Sequence, residues 1–499
     1  MKISSIIFLI FNSIIYAGLI RPENDRTLNY LHVLFEWEQE PSAVAYNLQI
    51  SNQSIFNNLL IDVELSSTIF IDKDNFNWDD NYYWRVRPLY DSDSGDYEFG
   101  DWIGSSSFVL GGKQFPERDA NIYNENLLQD GLIAFSGFAP QFASAVIDKY
   151  GNEIWNSGEP GVFDFMINHI NDYGNIYGQS FYNYPYNTGT KVNYDIDFLW
   201  STQGDLNNDG EVNGEGMEDA IDIHEIKQIP NGNYMAFVPD YQPGPIPEGP
   251  WSFIYQAMGY GADGVTNEYP WIGMRIVEWD EEGNEVWNWD PFEHFTMDDT
   301  DLYGGTWWNF NAGTHDWMHS NAFHFDEEES VIYVSHRHLS RISKIAYPSG
   351  EVMWNIGMPE GYNTGSDNIC TDLGNSFQHN IQLLDDGTLL FFDNGNISPL
   401  VNEDEYPTTR IRRIRVIDDS YCETVWQYDL PELMFGAGMG SVQLLDNGNY
   451  SIYTFSNGGE EPGDGQCDLL EVTPDKEMVW KASAGNNESA WYRSYKIPS

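Results

Sequence analysis

The sequence predicts an all-β protein, a small β-sandwich followed by a six-bladed β-propeller. Three observations carry this. Short alternating strands fill residues 21–112. A strand ending in Trp after a polar turn then recurs six times. The chain is also 15% aromatic, with 18 Trp and 31 Tyr, which excludes the disorder that its acidity alone would suggest, because disordered acidic chains lack aromatics. Asp and Glu number 78 against 23 Lys and Arg, a formal net charge of −55. Such a surface repels phosphates, so nucleic acid and anionic lipid are excluded as whole-surface partners.

Residues 1–17 read as a secretory signal peptide. Lys2 supplies the positive start, Ile6 to Ile15 is almost wholly apolar, and Ala17 is a small residue for cleavage. The run is too short for a comfortable membrane span, and no Cys follows it. No other stretch reaches 18 apolar residues, so a soluble, secreted or periplasmic protein with no membrane span is expected. The oligomeric state stays open. The three cysteines, Cys370, Cys422 and Cys467, allow one disulfide with a thiol left over, or three free buried thiols.

Between residues 21 and 112, FEWEQEP (35–41), AYNLQIS (45–51), STIFID (67–72), NYYWRVRPLY (81–90) and SSSFVL (105–110) alternate as strands. Trp37 and Trp84 are the candidate core. The Y-x-L-Q-I-S and Y-Y-W-R-V-R segments resemble a fibronectin type III domain, which implies a spacer or packing module. GGKQFPERD (111–119) reads as the linker.

In the remaining chain, taken as one domain over 120–499, the Trp-ended segments close at Trp155, Trp200, Trp287, Trp354, Trp426 and Trp480. Each follows a turn signal: Asp130-Gly131, Tyr173-Gly174, Asn231-Gly232, Asp326 to Ser330, Asp386-Gly387 and Asn447-Gly448. Regular four-stranded units of this kind mark a propeller. At about 64 residues, each unit exceeds the ~40–45 of a compact blade, so long loops are inserted. One insertion, GDLNNDGEVNGEGMED (204–219), matches the start of a calcium loop. Asp205, Asn207 and Asp209 take positions 1, 3 and 5, Gly210 makes the turn, and Glu211 and Asn213 follow at 7 and 9. Position 12 is Gly216 where a bidentate carboxylate belongs. The alternatives are a structural calcium ion and a solvated acidic turn.

Three of the 10 histidines stand apart. His224, His319 and His379 each lie seven residues before a turn, at Asn231, Asp326 and Asp386. They therefore occupy the same place in three successive units and should converge at one end of the axis. The last unit has Gly440 there. Arg337, in VIYVSHRHLS, ends the strand returning from the turn after His319. His336 and His338 flank it and, by strand alternation, should face the other way. Three His can bind a transition metal, but a neighbouring guanidinium favours an oxyanion. Neutral imidazole is a nucleophile near pH 7, and its neighbours can serve as acid, base or oxyanion donor. The set suits sulfuryl or phosphoryl transfer through a covalent His intermediate.

HSNAFHFDEEESVIYVSHRHLSRISKI (319–345), FQHNIQLLDDGTLLFFDNGN (377–396), DIHEIKQIPNGNY (222–234) and YRSYKI (492–497) resemble the bacterial arylsulfate sulfotransferases. The resemblance implies a secreted six-bladed propeller behind a β-sandwich. Such an enzyme moves sulfate from a small aryl sulfate donor to a phenolic acceptor through a sulfohistidine, with no nucleotide donor and no catalytic cofactor. On this resemblance His379 is the nucleophile, Arg337 binds the sulfuryl group, and His319 and His224 complete the site. Phe377, Trp317 and Tyr333 are candidate ring contacts for the substrate. The front domain and the acidic loop are departures from the family pattern. Three other functions remain open: a non-catalytic secreted binding module, an aryl sulfate hydrolase, and a metal enzyme with His224, His319 and His379 as ligands.

The substrate expected from this resemblance is an anion, which a charge of −55 repels. Salt screens that repulsion. Transfer at low donor concentration should therefore rise with moderate salt, and a flat or falling salt profile would contradict this.

Overall fold

In the computed structural model the described residues are 18–498, except 93–94, 116–117, 139–141, 160, 162–163, 172, 184–185, 203–220, 300–312, 363–367, 459–461 and 484–489. The signal segment and the acidic loop with Asp205, Asn207, Asp209, Glu211 and Asn213 lie outside them. Nearly every regular element is a strand. No helix among the described residues is long and apolar enough to cross a membrane. The chain forms two compact units: Met1–Gln114 with Ile154–Gly158, and Phe115–Glu153 with Glu159–Ser499.

The first unit pairs a three-stranded sheet (Leu19–Arg21, Val33–Trp37 and Ile69–Asp72) with a larger one built on Ala45–Ser51, Asn81–Asp91 and Gly104–Leu110. Period-two alternation explains both faces of Asn81–Asp91. Trp84 and Val86 point inward and are fully buried. Trp84 meets Phe35 of the other sheet at 5.3 Å between ring centroids, and Trp37 is 1% exposed. Outward, Arg85 stacks on Phe56 and Trp102, and Arg87 on Phe99 and Trp102.

Among the described residues the second unit holds six small sheets, antiparallel except for the pairing of Trp271–Ile272 with His315–Asp316. Four run continuously in sequence, each strand paired with the next. Their first strands are Asp164–Ile170, Ile226–Gln228, Ser320–Asp326 and His379–Leu383; their last are Phe198–Ser201, Glu285–Trp289, Val352–Ile356 and Tyr421–Asp429. A fifth runs from Ser441–Leu444 to Met478–Ser483 and adds Asp119–Ile122 at its edge. Trp200, Trp287, Trp354, Trp426 and Trp480 fall on the fourth strands, as the repeat predicts. Trp155 lies on Glu153–Asn156, likewise the outermost strand of its sheet, and Ile154–Gly158 clusters with the front unit.

The sixth sheet departs from the turn pattern. Asp130-Gly131 makes no hairpin; it leads into Leu132–Phe138, whose antiparallel partner is the chain's last strand, Ala490–Ile497. The first strand of this sheet is thus supplied from the far end of the sequence. First strands of successive sheets lie side by side. Ile226–Gln228 reaches Ser320–Asp326 through Lys227 Nζ, which donates to Phe323 O at 2.6 Å. Ala490–Ile497 lies between Ser441–Leu444 and Asp164–Ile170, so the series returns to its start. Cys370 and Cys422 form a disulfide across 52 residues, and Cys467 is buried outside it, 3.6 Å from the Tyr453 hydroxyl.

Trp491 anchors the closing strand. It is 1% exposed and stacks on Phe135 at 3.9 Å. Trp491→Ala should lower the unfolding free energy by about 3–5 kcal/mol, since it opens a cavity that β-pairing keeps from collapsing. Chemical denaturation checks this, and a loss below ~1 kcal/mol would contradict the anchoring role.

Candidate active site

The three aligned histidines sit where first strands begin. His224 precedes Ile226–Gln228, His319 precedes Ser320–Asp326, and His379 opens His379–Leu383. Behind His319 and His379 the ladder bulges, with register shifts between Ser320 and Ala322 and between His379 and Ile381. The extra residue of each bulge reaches the next sheet. Asn321 Nδ2 donates to Gln378 O at 2.9 Å, and Asn380 Oδ1 accepts from Val442 N at 3.0 Å.

The backbone here is strained. His319, Phe377 and Asn380 all have φ near +50°, a region that costs non-glycine residues roughly 1–3 kcal/mol and persists only where neighbours over-determine it. They do so here. Ser376 N donates to Asp393 Oδ1 at 2.9 Å, and Phe377 N to Ser340 Oγ at 3.2 Å. The Gln378 amide spans Ser335 Oγ, His336 O and Arg341 O. At the equivalent place in the next sheet, Gly440 has φ +110°, and a Cβ would lie 2.4 Å from Phe392. Glycine is required there, so that sheet contributes no side chain.

His224 and His319 lie 4.5 Å apart, edge to face. His338 lies 4.5 Å beyond His319. This corrects the alternation argument. The strand ends at His336 and residues 337–340 turn, with Arg337 N bonded to His319 O and His338 N to Met318 O. His338 thereby joins the site. His336 is buried elsewhere, its Nδ1 2.8 Å from Ser320 Oγ. Trp317 is not on the site surface. It is 1% exposed and packs between Trp271 and Phe292 in the core. Tyr333 is likewise core, beside Trp354. Phe377 does belong, since its ring lies 4.8 Å from the Arg337 guanidinium.

Every imidazole of the cluster is oriented through Nδ1. His224 bonds Asp222 Oδ1, and His319 bonds Asp316 Oδ2. His338 Nδ1 donates to Asp316 O at 2.6 Å. His379 Nδ1 faces two acceptors, Asn394 Oδ1 at 2.7 Å and Phe377 O at 3.1 Å. Asn394 cannot present its nitrogen instead, because its Nδ2 donates to Gly436 O at 2.7 Å and Met439 O at 3.0 Å. Nδ1 of His379 therefore carries the proton, and Nε2 carries the lone pair.

Burial holds the imidazoles of His319, His338 and His379 well below the usual value, and the Arg337 charge adds to this at each. His379 also feels His319 and His224. Burial pulls the Arg337 guanidinium down to about 10, opposed by the Asp316 carboxylate, so it stays cationic near pH 7. Its Nη2 donates to Ala437 O at 3.0 Å. Among the described residues, Asp316, His319 and His338 place ligand-type atoms within 4.8 Å of one another. Asp316 already accepts from both imidazoles, and the adjacent Arg337 charge favours an anion over a dication.

Sequence reasoning missed Asp222, Asp316, His338 and Asn394. The first two were visible as a carboxylate two or three residues before an aligned His.

Residues 254–493 match the family described as Arylsulfotransferase (ASST). This segment is similar to the arylsulfotransferase family. His319, Arg337, His379, Asp316 and Asn394 lie within the arylsulfotransferase match, whereas His224 and Asp222 precede it. No curated protein matches the chain. Among solved structures, a Bacteroides caccae protein of unknown function aligns over 74% of this chain and 100% of its own, at 12% identity and TM-score 0.44. Kuenenia stuttgartiensis hydrazine synthase aligns over 65% and 67%, at 9% identity and TM-score 0.33. A putative 6-phosphogluconolactonase of Bacteroides fragilis aligns over 92% and 100%, at 8% identity and TM-score 0.33. These similarities are too distant to inform the site.

Seven buried or half-buried histidines have a consequence for stability. Burial lowers His169, His315 and His336 to about 3 and His324 to about 4, besides His319, His338 and His379. Unfolded imidazoles titrate near ~6.5. Below that pH the unfolded chain binds more protons than the folded one, so stability falls with falling pH. The melting temperature should be level above pH ~6.5 and decline steadily toward pH ~4. A flat profile between pH 7.5 and 5 would contradict the buried neutral state.

Proposed function

We propose that the chain is an exported six-bladed β-propeller arylsulfate sulfotransferase. It moves a sulfuryl group from a small aryl sulfate to a phenol through a sulfohistidine on His379, without a nucleotide donor or other cofactor. Six small sheets whose first strands adjoin in series, the last taken from the C-terminal strand, support the propeller. The family match supports the activity in general. The observation that carries the reading is the tautomer of His379: an unprotonated Nε2 in a buried cluster beside a guanidinium. The signal-like N-terminus and the Cys370–Cys422 disulfide support an oxidising, extracytoplasmic location. The front unit, with its fibronectin-like strand pattern, is proposed as a spacer.

In the first half-reaction, Nε2 attacks sulfur in line, the N–S bond forms, and the S–O bond breaks with its electron pair on the phenolate oxygen. Arg337 binds the sulfuryl oxygens, and Phe377 stacks beneath it. The phenolate leaves as the anion, and in the second half-reaction the unprotonated Nε2 of His319 or His224, each backed by a carboxylate, takes the proton of the acceptor phenol. The pairing fixes Nε2 as the exchanging atom.

His379→Ala should lower transfer from p-nitrophenyl sulfate to a phenol by about 1000-fold or more, since no other group supplies the nucleophile. Wild-type-like transfer in that variant would refute the assignment. Release of free sulfate at the same rate with and without phenol would identify a hydrolase instead.

A further inference from the structure

The imidazoles of the cluster are not backed alike. His224 and His319 each face a carboxylate, Asp222 and Asp316. His379 faces a neutral amide, Asn394, whose nitrogen is tied to Gly436 O and Met439 O. Asn394 is fully buried, so water cannot substitute for it. It lies two residues beyond Phe392, the strand partner of His379, just past the end of Leu389–Asp393. The loop that receives its amide, Gly436 to Gly440, also receives Arg337 Nη2 at Ala437 O. One loop therefore sets both the partner of the nucleophile and the sulfuryl-binding cation.

We infer that Asn394 is a positioning residue that keeps the His379 adduct labile by being unable to accept the Nδ1 proton. This rests on the proposed transfer through His379. When Nε2 bonds to sulfur, the ring becomes an N-sulfoimidazolium with Nδ1–H still in place. The acceptor phenol gives its proton to His319 or His224 and its oxygen forms a bond to sulfur. The S–N bond then breaks with its electron pair returning to Nε2, and the leaving group is neutral imidazole. A carboxylate at position 394 would stabilise the cationic ring or take its Nδ1 proton. In the second case the leaving group becomes imidazolate, which leaves far less readily. The same pairing that makes His319 and His224 good proton carriers would trap the nucleophile.

The test is a chase of the adduct in the full-length protein. Wild type and Asn394→Asp are loaded with p-nitrophenyl sulfate and freed of donor. Loss of the added sulfuryl mass from the His379 peptide is then followed with and without phenol. The variant should load to the same stoichiometry but release at least ~10-fold more slowly at pH 8, the effect expected of a partner charge shifting the ring by one pKa unit or more. Release should recover as pH falls and the introduced carboxylate takes up a proton. Equal release rates at pH 8 would overturn the inference. Should the variant not fold, nitrogen-15 spectra of labelled wild type decide. Protonated Nδ1 with unprotonated Nε2 on His379 is expected, and the opposite tautomer overturns it. A wild type that never loads would contradict the transfer reading itself.

Discussion

The site depends on keeping several imidazoles neutral beside a buried guanidinium. His224, His338 and His379 are buried, so each charge is felt strongly. One cation is tolerated because Arg337 has a carbonyl partner and lies near the Asp316 carboxylate. Further cations are not, and burial with Arg337 drives the imidazole values down. Neutrality leaves a lone pair on each ring, and the Nδ1 partners choose which nitrogen holds it. Electrostatics and hydrogen bonding thus act together to leave the lone pair on His379 Nε2.

The fold supplies the geometry that this requires. First strands of adjacent sheets begin side by side, and a bulge behind His319 and His379 turns an Asn into the neighbouring sheet. The strained φ values at His319, Phe377 and Asn380 are sustained by hydrogen bonds that Asp393 and Ser340 accept and that the Gln378 amide donates. Rigid pairing on both sides leaves the rings little freedom, which is what a site acting by orientation needs. Closure by Ala490–Ile497 brings Tyr492 against His224 and Arg493 into a buried ion pair with Glu225, so the last strand also braces the site.

Much of this was legible in the sequence, for definite reasons. Counting back from a hairpin turn is reliable because strands have fixed rise, so His224, His319 and His379 aligned correctly. The Trp-ended segments marked fourth strands because each occurs once per sheet. His338 was misplaced because the alternation rule was carried two residues past the end of its strand. Trp317 was offered as a ring contact because it neighbours the site in sequence, but in the structure it packs between Trp271 and Phe292. The role of Ala490–Ile497 could not be read locally, since pairing across more than 350 residues leaves no turn signal. Asn394 was hidden for a related reason: its partner lies across a strand pair, 15 residues away.

The central claim is that sulfur bonds to one named nitrogen. The direct measurement is rapid quenching at alkaline pH after a single exposure to aryl sulfate, followed by fragmentation mass spectrometry of the peptides. One added sulfuryl group, about 80 Da and confined to His379, appearing with the burst of phenolate and vanishing when phenol is added, is the result predicted here. Phenolate release with no modified peptide, or a sulfuryl group on another residue, would contradict it.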